Sequence, residues 1–246
     1  MEEGAYGADF AAQFDALFRA NGLGDFATPE NAAAFAALAA HMREENARFN
    51  LTAITEERQV LFRHILDSAA FARFLPQGAR VLDVGCGAGF PTLPLAVCRP
   101  DLSLTALDAT RKRVEYVAGC AALLGLKNVQ TVCARAEEAA RTDLRGAFDA
   151  VTARAVAALP VLAELCLPFV RVGGLFLPMK ARGAAEEAAA ALHAVGCLGA
   201  EAAGSETFTL SDGAEVLTRT ALLYRKQKET DAAYPRAYAR ILKKPL

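Results

Sequence analysis

A chain of 246 residues, 54% hydrophobic and with a formal net charge of −1, holds enough apolar material for one large α/β domain with an extension. No apolar run nears the roughly 20 residues that span a bilayer. The acidic start Met1-Glu2-Glu3-Gly4 lacks the basic and apolar stretches of a secretion signal, so a cytoplasmic protein without a membrane partner is expected. Six cysteines with no C-x-x-C pair and three scattered histidines argue against a disulfide framework or a zinc cage; reduced thiols and no metal are expected. The near-neutral total hides an asymmetry: residues 1–59 carry ten acidic against four basic side chains, and residues 219–246 carry eight basic against two acidic. A basic end of this kind suits either a polyanion or an ordinary solvated face.

Phe10, Phe14, Leu17 and Phe18 recur at helical spacing and predict a short amphipathic helix ending near Asn21-Gly22. Thr28-Pro29 reads as a cap followed by proline in the first helical position, opening an alanine-rich helix with Phe35, Leu38, Met42 and Phe49 on one face. Asn50 to Ile54 breaks that pattern. Thr55 is the expected cap of a third helix, which carries the polar cluster Arg63-His64-Ile65-Leu66-Asp67-Ser68 and stops at Pro76-Gln77-Gly78.

From Arg80 the period changes. Strands are predicted at 81–85, 102–107, 129–133, 148–153 and 175–177. Helices are predicted at about 91–99, 111–124, from 137, 159–170 and 184–195, with a turn at Gly173-Gly174. Ser211-Asp212-Gly213-Ala214 between two alternating runs signals an antiparallel hairpin. Repeated βα units closed by a hairpin predict a doubly wound α/β sheet, parallel except for one antiparallel edge strand.

The stretch that organises this plan is Arg80 to Thr92. A strand buried on both faces (Val81, Leu82, Val84) ends in Gly85-Cys86-Gly87-Ala88-Gly89, and a helix follows. Such a βα turn lets backbone approach a ligand and offers free N–H groups to it. A dinucleotide fingerprint counted from Gly85 needs glycine where Phe90 stands, and no lysine follows for a phosphate loop. The pattern D-x-G-x-G-x-G, with Asp108 ending the second strand, resembles the class I S-adenosylmethionine (SAM) methyltransferases. That resemblance implies Gly85, Gly87 and Gly89 passing close to the cofactor, Asp108 accepting from its ribose hydroxyls, and Asp83 holding the turn from beneath. An oxidoreductase using NADP, with Arg111-Lys112-Arg113 taking the 2′-phosphate, is the contrasting reading. A catalytically silent RNA-binding module on the same fold is a third.

Absent motifs narrow the methyl acceptor. No N/D-P-P-Y/F string follows the fourth strand, and Cys166, preceded by Leu165 within a helix, fits poorly as a cytosine-attacking thiol. Transfer to an atom that is already nucleophilic remains, and guanine N7, with its in-plane lone pair, is one.

Longer strings are more specific: Asn50-Leu51-Thr52, His64 to Ser68, Asp83 to Pro91, Arg135-Ala136-Glu137-Glu138, Thr152-Ala153-Arg154-Ala155, Tyr234-Pro235-Arg236 and Pro245-Leu246 appear in this order. From about Asn46 onward the chain resembles the RsmG (GidB) family of 16S ribosomal RNA guanine-N7 methyltransferases. The resemblance implies SAM contacts at Gly85, Phe90, Ala136, Glu137 and Arg154, with Arg154 meeting the methionine carboxylate. It implies an rRNA or small-subunit particle as partner, and a monomer is expected. Candidate substrate contacts are His64, Asp67, Arg135, Lys180 and Arg236; no residue is assigned as a catalytic base. The corresponding division is a helical extension at 1–78, a SAM-binding domain at 79–228 and a basic tail at 229–246. The tail, Arg236-Ala237-Tyr238-Ala239-Arg240, departs from the glycine/proline-containing form commoner in the family.

Overall fold

A computed structural model describes residues 8–49, 51–154, 156–181 and 183–246. The acidic start at Met1 to Gly4, Asn50 and Ala155, all used in the sequence reading, lie outside the described residues. Helix α1 (Ala8–Ala20) buries Phe10, Phe14 and Phe18 against Phe35, Leu38 and Met42 of α2 (Pro29–Phe49). The rings of Phe14, Phe18 and Phe35 form one cluster with centroids 4.3 to 6.1 Å apart. Thr28 Oγ1 accepts the Asn31 N–H at 3.2 Å, the expected cap of α2. The third helix is capped by Glu56, one residue later than the expected Thr55. Its carboxylate accepts from the N–H groups of Arg58 and Gln59, and a charged acceptor is stronger than a hydroxyl at the positive end of a helix. This helix runs as α3 (Glu57–Val60), a π-helical stretch (Leu61–Leu66) and α4 (Asp67–Ala69). The wide turn carries Arg63 and His64, and such bulges are common at functional sites.

Then strand and helix alternate: β1 (Arg80–Val84), α5 (Thr92–Cys98), β2 (Ser103–Asp108), α6 (Arg111–Leu123), β3 (Val129–Cys133), α7 (Ala136–Ala139) and β4 (Phe148–Arg154). After them come α8 (Leu159–Cys166), β5 (Val170–Lys180), α9 (Ala184–Cys197), the hairpin β6 (Ala200–Ser211) and β7 (Val216–Lys226), and α10 (Tyr238–Lys243). The seven strands lie in the order β3-β2-β1-β4-β5-β7-β6. β1 to β5 are parallel; β7 is the one antiparallel strand and sits a place in from the edge, which β6 forms. Leu82 and Val84 of β1 join the apolar layer of α8 and α9, whereas Val81 faces the layer of α5, so β1 is covered on both faces.

β5 begins earlier than the sequence suggested. α8 ends at Cys166 and the backbone is extended from Val170, so Gly173-Gly174 is a bulge within a strand and not the turn before it. Pairing jumps from Phe148–Val170 to Ala150–Leu175. A Cβ on Gly174 would stand 2.8 Å from the Asp149 carbonyl oxygen, which is why glycine is placed there.

Residues after β7, expected as a basic tail, fold back on α8. The Arg145 guanidinium donates to the carbonyls of Thr230, Asp231 and Tyr234, and that of Arg141 to Pro235. Buried Lys226 donates to the carbonyls of Leu167 and Leu198 and to Thr230, and burial pushes its pKa down to about 7. Arg236 grips fully buried Glu164 with Nε and Nη2 at 2.6 to 3.2 Å. The expectation that Arg236 is free for RNA therefore gives way to an internal ion pair. Arg236→Ala should leave Glu164 buried without its counter-charge and cost about 3–5 kcal/mol in denaturant unfolding. Replacing both partners by apolar residues of similar volume should recover most of that loss.

Candidate functional site

The order β2-β1-β4 places the reversal of the sheet between β1 and β4, and ligands bind outside the carboxyl ends of strands at such a point. A crevice of about 350 Å³ opens there, bordered by Gly85 after β1, Asp108 at the end of β2 and Thr110 beyond it, Ala136 and Glu137 of α7, and Val156 after β4. Beneath it, buried Asp83 accepts a hydrogen bond from the Thr92 hydroxyl at 2.7 Å and faces Thr152 Oγ1 at 3.4 Å, tying β1 to α5 and β4. Burial lifts its pKa to about 6.

The three glycines of the turn do different work. Gly85 has φ of +74°, and a Cβ there would stand 2.7 Å from Val156 Cγ2, so its backbone is bare where it borders the crevice. Gly89, at φ +85°, would instead drive a Cβ to 2.5 Å from Leu93 Cδ1; it serves the packing of α5 and not the crevice wall. Gly87 gives its N–H to Asp108 Oδ2 at 3.1 Å. Asp108 also takes the Thr110 N–H on Oδ1 at 2.8 Å, and Arg113 lies 3.6 Å away. A carboxylate has about four acceptor positions. Its two backbone partners thus fix Asp108 at the rim and leave capacity for hydroxyl donors.

Across Val156 lies a second cavity of about 630 Å³, which Val156 also lines. Four cations border it, Arg63, Arg154, Lys180 and Arg219, against the carboxylates of Asp67 and Glu187. Asp67 is 5% exposed and shared: Arg219 Nε lies at 2.6 Å and Arg154 Nη1 at 3.3 Å. One carboxylate thus serves two guanidiniums, while Arg63 is paired with Glu215 and buried Asp83 adds its attraction on Arg154. Lys180 spends two donors on Ala157 O (3.1 Å) and Glu187 (2.7 Å) and keeps a third. The His64 ring stacks on Phe90 at 4.7 Å, Nε2 lies 3.0 Å from Thr52 Oγ1, and Nδ1 is 3.4 Å from Arg154 Nη2. Because arginine can only donate, Nδ1 accepts and Nε2–H points to Thr52. Burial first, then Arg154, pushes the His64 pKa down to about 4, so the ring is neutral at neutral pH with neither nitrogen free.

The structure thus divides the sequence candidates between two neighbouring spaces. Gly85, Asp108, Arg135, Ala136 and Glu137 border the first; His64, Asp67, Arg154 and Lys180 border the second. Asp83, Gly87 and Gly89 support the turn. Phe90, expected beside the cofactor, is 5% exposed and covered by His64 and by the Arg154 guanidinium, 5.5 Å from its centroid. Arg236 is in neither space. Sequence reasoning missed Val156, which divides the spaces, and Arg219, whose signal was an arginine between two threonines near the start of β7. It also missed Tyr238 as a border of the first crevice. Burial raises the thiol pKa of both Cys86 and Cys166, leaving no thiolate nucleophile at the turn or on α8.

A doubly wound sheet with a glycine crevice, an acidic residue ending β2 and a β7 inserted antiparallel defines a class I methyltransferase fold. The fold of Rv0187 from MTB, a cofactor-bound structure, matches over 87% of this chain and 96% of that one (TM-score 0.54, 22% identity). M. jannaschii TYW2 in complex with AdoMet matches over 66% and 76% (TM-score 0.53, 17% identity). Residues 31–212 match the family model GidB, described as rRNA small subunit methyltransferase G, and the chain belongs to that family of SAM-dependent enzymes. Ribosomal RNA small subunit methyltransferase G of Deinococcus deserti is 45% identical over 205 residues, 82% of this chain and 83% of the relative. The protein of the same name from Geobacillus thermodenitrificans is 40% identical over 239 residues, 96% and 99% of the two chains. Family membership decides against the NADP-dependent oxidoreductase and the silent module.

The first crevice suits SAM on its own geometry: bare backbone at Gly85, an anchored carboxylate with spare acceptors at Asp108, and a volume within the roughly 300–1,000 Å³ of small-molecule sites. Gly85→Ala forces a side chain into a left-handed conformation and against Val156. Its SAM affinity should fall by about tenfold or more, roughly 1.4 kcal/mol, by isothermal titration. The thermal transition should remain cooperative, and full affinity in the folded variant would count against this crevice.

Proposed function

We propose that the chain transfers a methyl group from SAM to N7 of a guanine in 16S ribosomal RNA, acting as a cytoplasmic monomer on the RNA or the small ribosomal subunit particle. The observation that carries this reading is the pairing of a SAM-sized crevice with a cavity lined by more cations than carboxylates, in which no side chain among the described residues is free to act as a base. When bound, SAM supplies an electrophilic methyl on a sulfonium centre. Asp108 receives the ribose hydroxyls, and Ala136 and Glu137 bound the adenine end. Arg154 and Arg219, which share Asp67, face an anion, with Arg154 on the methionine carboxylate. Lys180 offers its remaining N–H to guanine O6, leaving N7 uncovered. His64 orients Arg154 and is neutral at neutral pH, with both ring nitrogens engaged. N7 carries no proton, so alignment and the charge of the site suffice. The helical extension at 1–78 supplies His64 and Asp67 to the substrate side, residues 79–228 the SAM side, and 229–246 exposed cations beside it.

Incubation with SAM and small-subunit particles or naked 16S RNA, followed by mass mapping of the RNA, tests the reading; methylation at any position other than guanine N7 would replace it. With a pKa near 4, below its ordinary 6.5, His64 is neutral in the folded chain. Its contribution to stability is then complete above about pH 6.5 and lost as pH falls towards 4. The pH profile of kcat/KM should show no neutral-range deprotonation owed to His64. A deprotonation near neutrality that disappears in His64→Ala would introduce a base.

The cations displayed outward on and just after α10 are Arg240, Lys243 and Lys244; Arg236 is tied to Glu164. Neutralising these three should leave SAM affinity intact and weaken RNA binding. It should also flatten the slope of log affinity against log salt by about two, at roughly 0.7 for each phosphate contact on single-stranded RNA. An unchanged slope would move the RNA surface elsewhere.

A further inference from the structure

We propose that Tyr238, carried back by the folded C-terminal segment, is the wall on which the adenine ring of the cofactor rests; this deepens the SAM reading above and rests on it. Tyr238 opens α10 and borders the first crevice together with Ala136 and Glu137. The guanidinium of Arg135, also at the crevice, lies 5.0 Å from the centroid of its ring, and Arg135 Nε is held by Glu137 at 2.6 Å. The guanidinium lies over the ring and backs one of its faces, so the base would stack on the other.

The assignment to adenine follows from what the other parts of the crevice are fitted for. Asp108, fixed by Gly87 and Thr110, suits the ribose diol. The sulfonium end must face the acceptor cavity across Val156, which lines both spaces. The end at Ala136, Glu137 and Tyr238 is left for the base. The ring is also held firmly. Arg236, two residues before the ring, is clamped on Glu164, and Ile241, three residues after it, is fully buried. The arginines of the 141–145 segment hold residues 230 to 235. A half-buried phenol so placed adds flat apolar area at little further cost in ordering.

The test is isothermal titration of the full chain with SAM and, separately, with adenosine, for the wild type, Tyr238→Phe and Tyr238→Leu. Leucine keeps an apolar side chain on α10 while removing the plane, and unchanged thermal transitions certify the fold. For Tyr238→Leu, affinities for SAM and adenosine should fall by a common factor of about five or more, and Tyr238→Phe should stay within about twofold of wild type. A Leu variant that binds both ligands as wild type does overturns the proposal. So does a loss confined to SAM. A wild-type chain that binds neither ligand removes the SAM reading itself, whereas wild-type binding with an unaffected Leu variant removes the adenine wall alone.

Discussion

The reversal of the sheet between β1 and β4 is the constraint on which the rest of the molecule depends. Strands added on one side of β1 are β2 and β3; those added on the other are β4 and β5. Right-handed crossovers then send the two sets of helices to opposite faces, so the carboxyl ends of β1, β2 and β4 are left uncovered. Three groups at the crevice are set by their distance from those ends: Gly85 one residue past β1, Asp108 the last residue of β2, Val156 two residues past β4. Asp83 and Thr152 are paired in register across β1 and β4, one level below, with Thr92 reaching Asp83 from α5. Buried polar bonds at that level hold the turn still without occupying the space above it.

The second cavity depends on a different bond set, centred on Asp67. Its carboxylate joins α4 to β4 through Arg154 and to β7 through Arg219. Three parts of the chain far apart in sequence therefore meet at one charge. Removing Asp67 would strip both guanidiniums of their shared carboxylate, whereas removing either arginine leaves Asp67 the other. The N-terminal helices are correspondingly part of the same apolar body as the sheet. Phe14, Phe35 and Met42 belong to one cluster with Phe90, Leu93 and Val117. The stack of His64 on Phe90 is where that apolar body meets the polar cavity.

Features that depend on nearby residues were legible in the sequence. The glycine spacing, Asp83 near the end of β1, Asp108 ending β2 and the cap of α2 are local patterns, and the structure has them where expected. A glycine's reason for being there was not legible: Gly85 and Gly89 look alike in a string, yet one borders the crevice and the other makes room for Leu93. The start of β5 was hidden because a glycine pair reads as a turn whether it ends a strand or bulges within one. Arg219 and Asp67 are separated by 152 positions, so their bond could not be read from spacing. Glu164 left a signal that went unused: a lone carboxylate in the apolar run of α8 requires a partner, and Arg236 is that partner.

That same ion pair changes what the C-terminal segment can be. A basic stretch rich in tyrosine suggests a loose RNA-binding tail, but a tail has no need of a buried counter-charge. With Glu164 and Arg236 locked and Ile241 fully buried, α10 has fixed faces: Tyr238 and Ile241 turn towards the domain, and Arg240, Lys243 and Lys244 turn towards solvent. Spacing of three residues puts the first pair on one side of the helix, as its period requires. The ring at the crevice and the outward cations are therefore set by one rotation of one short helix. Whatever fixes the ring beside the cofactor crevice also fixes where the positive charge is presented, about one helix diameter away, on the order of 10 Å.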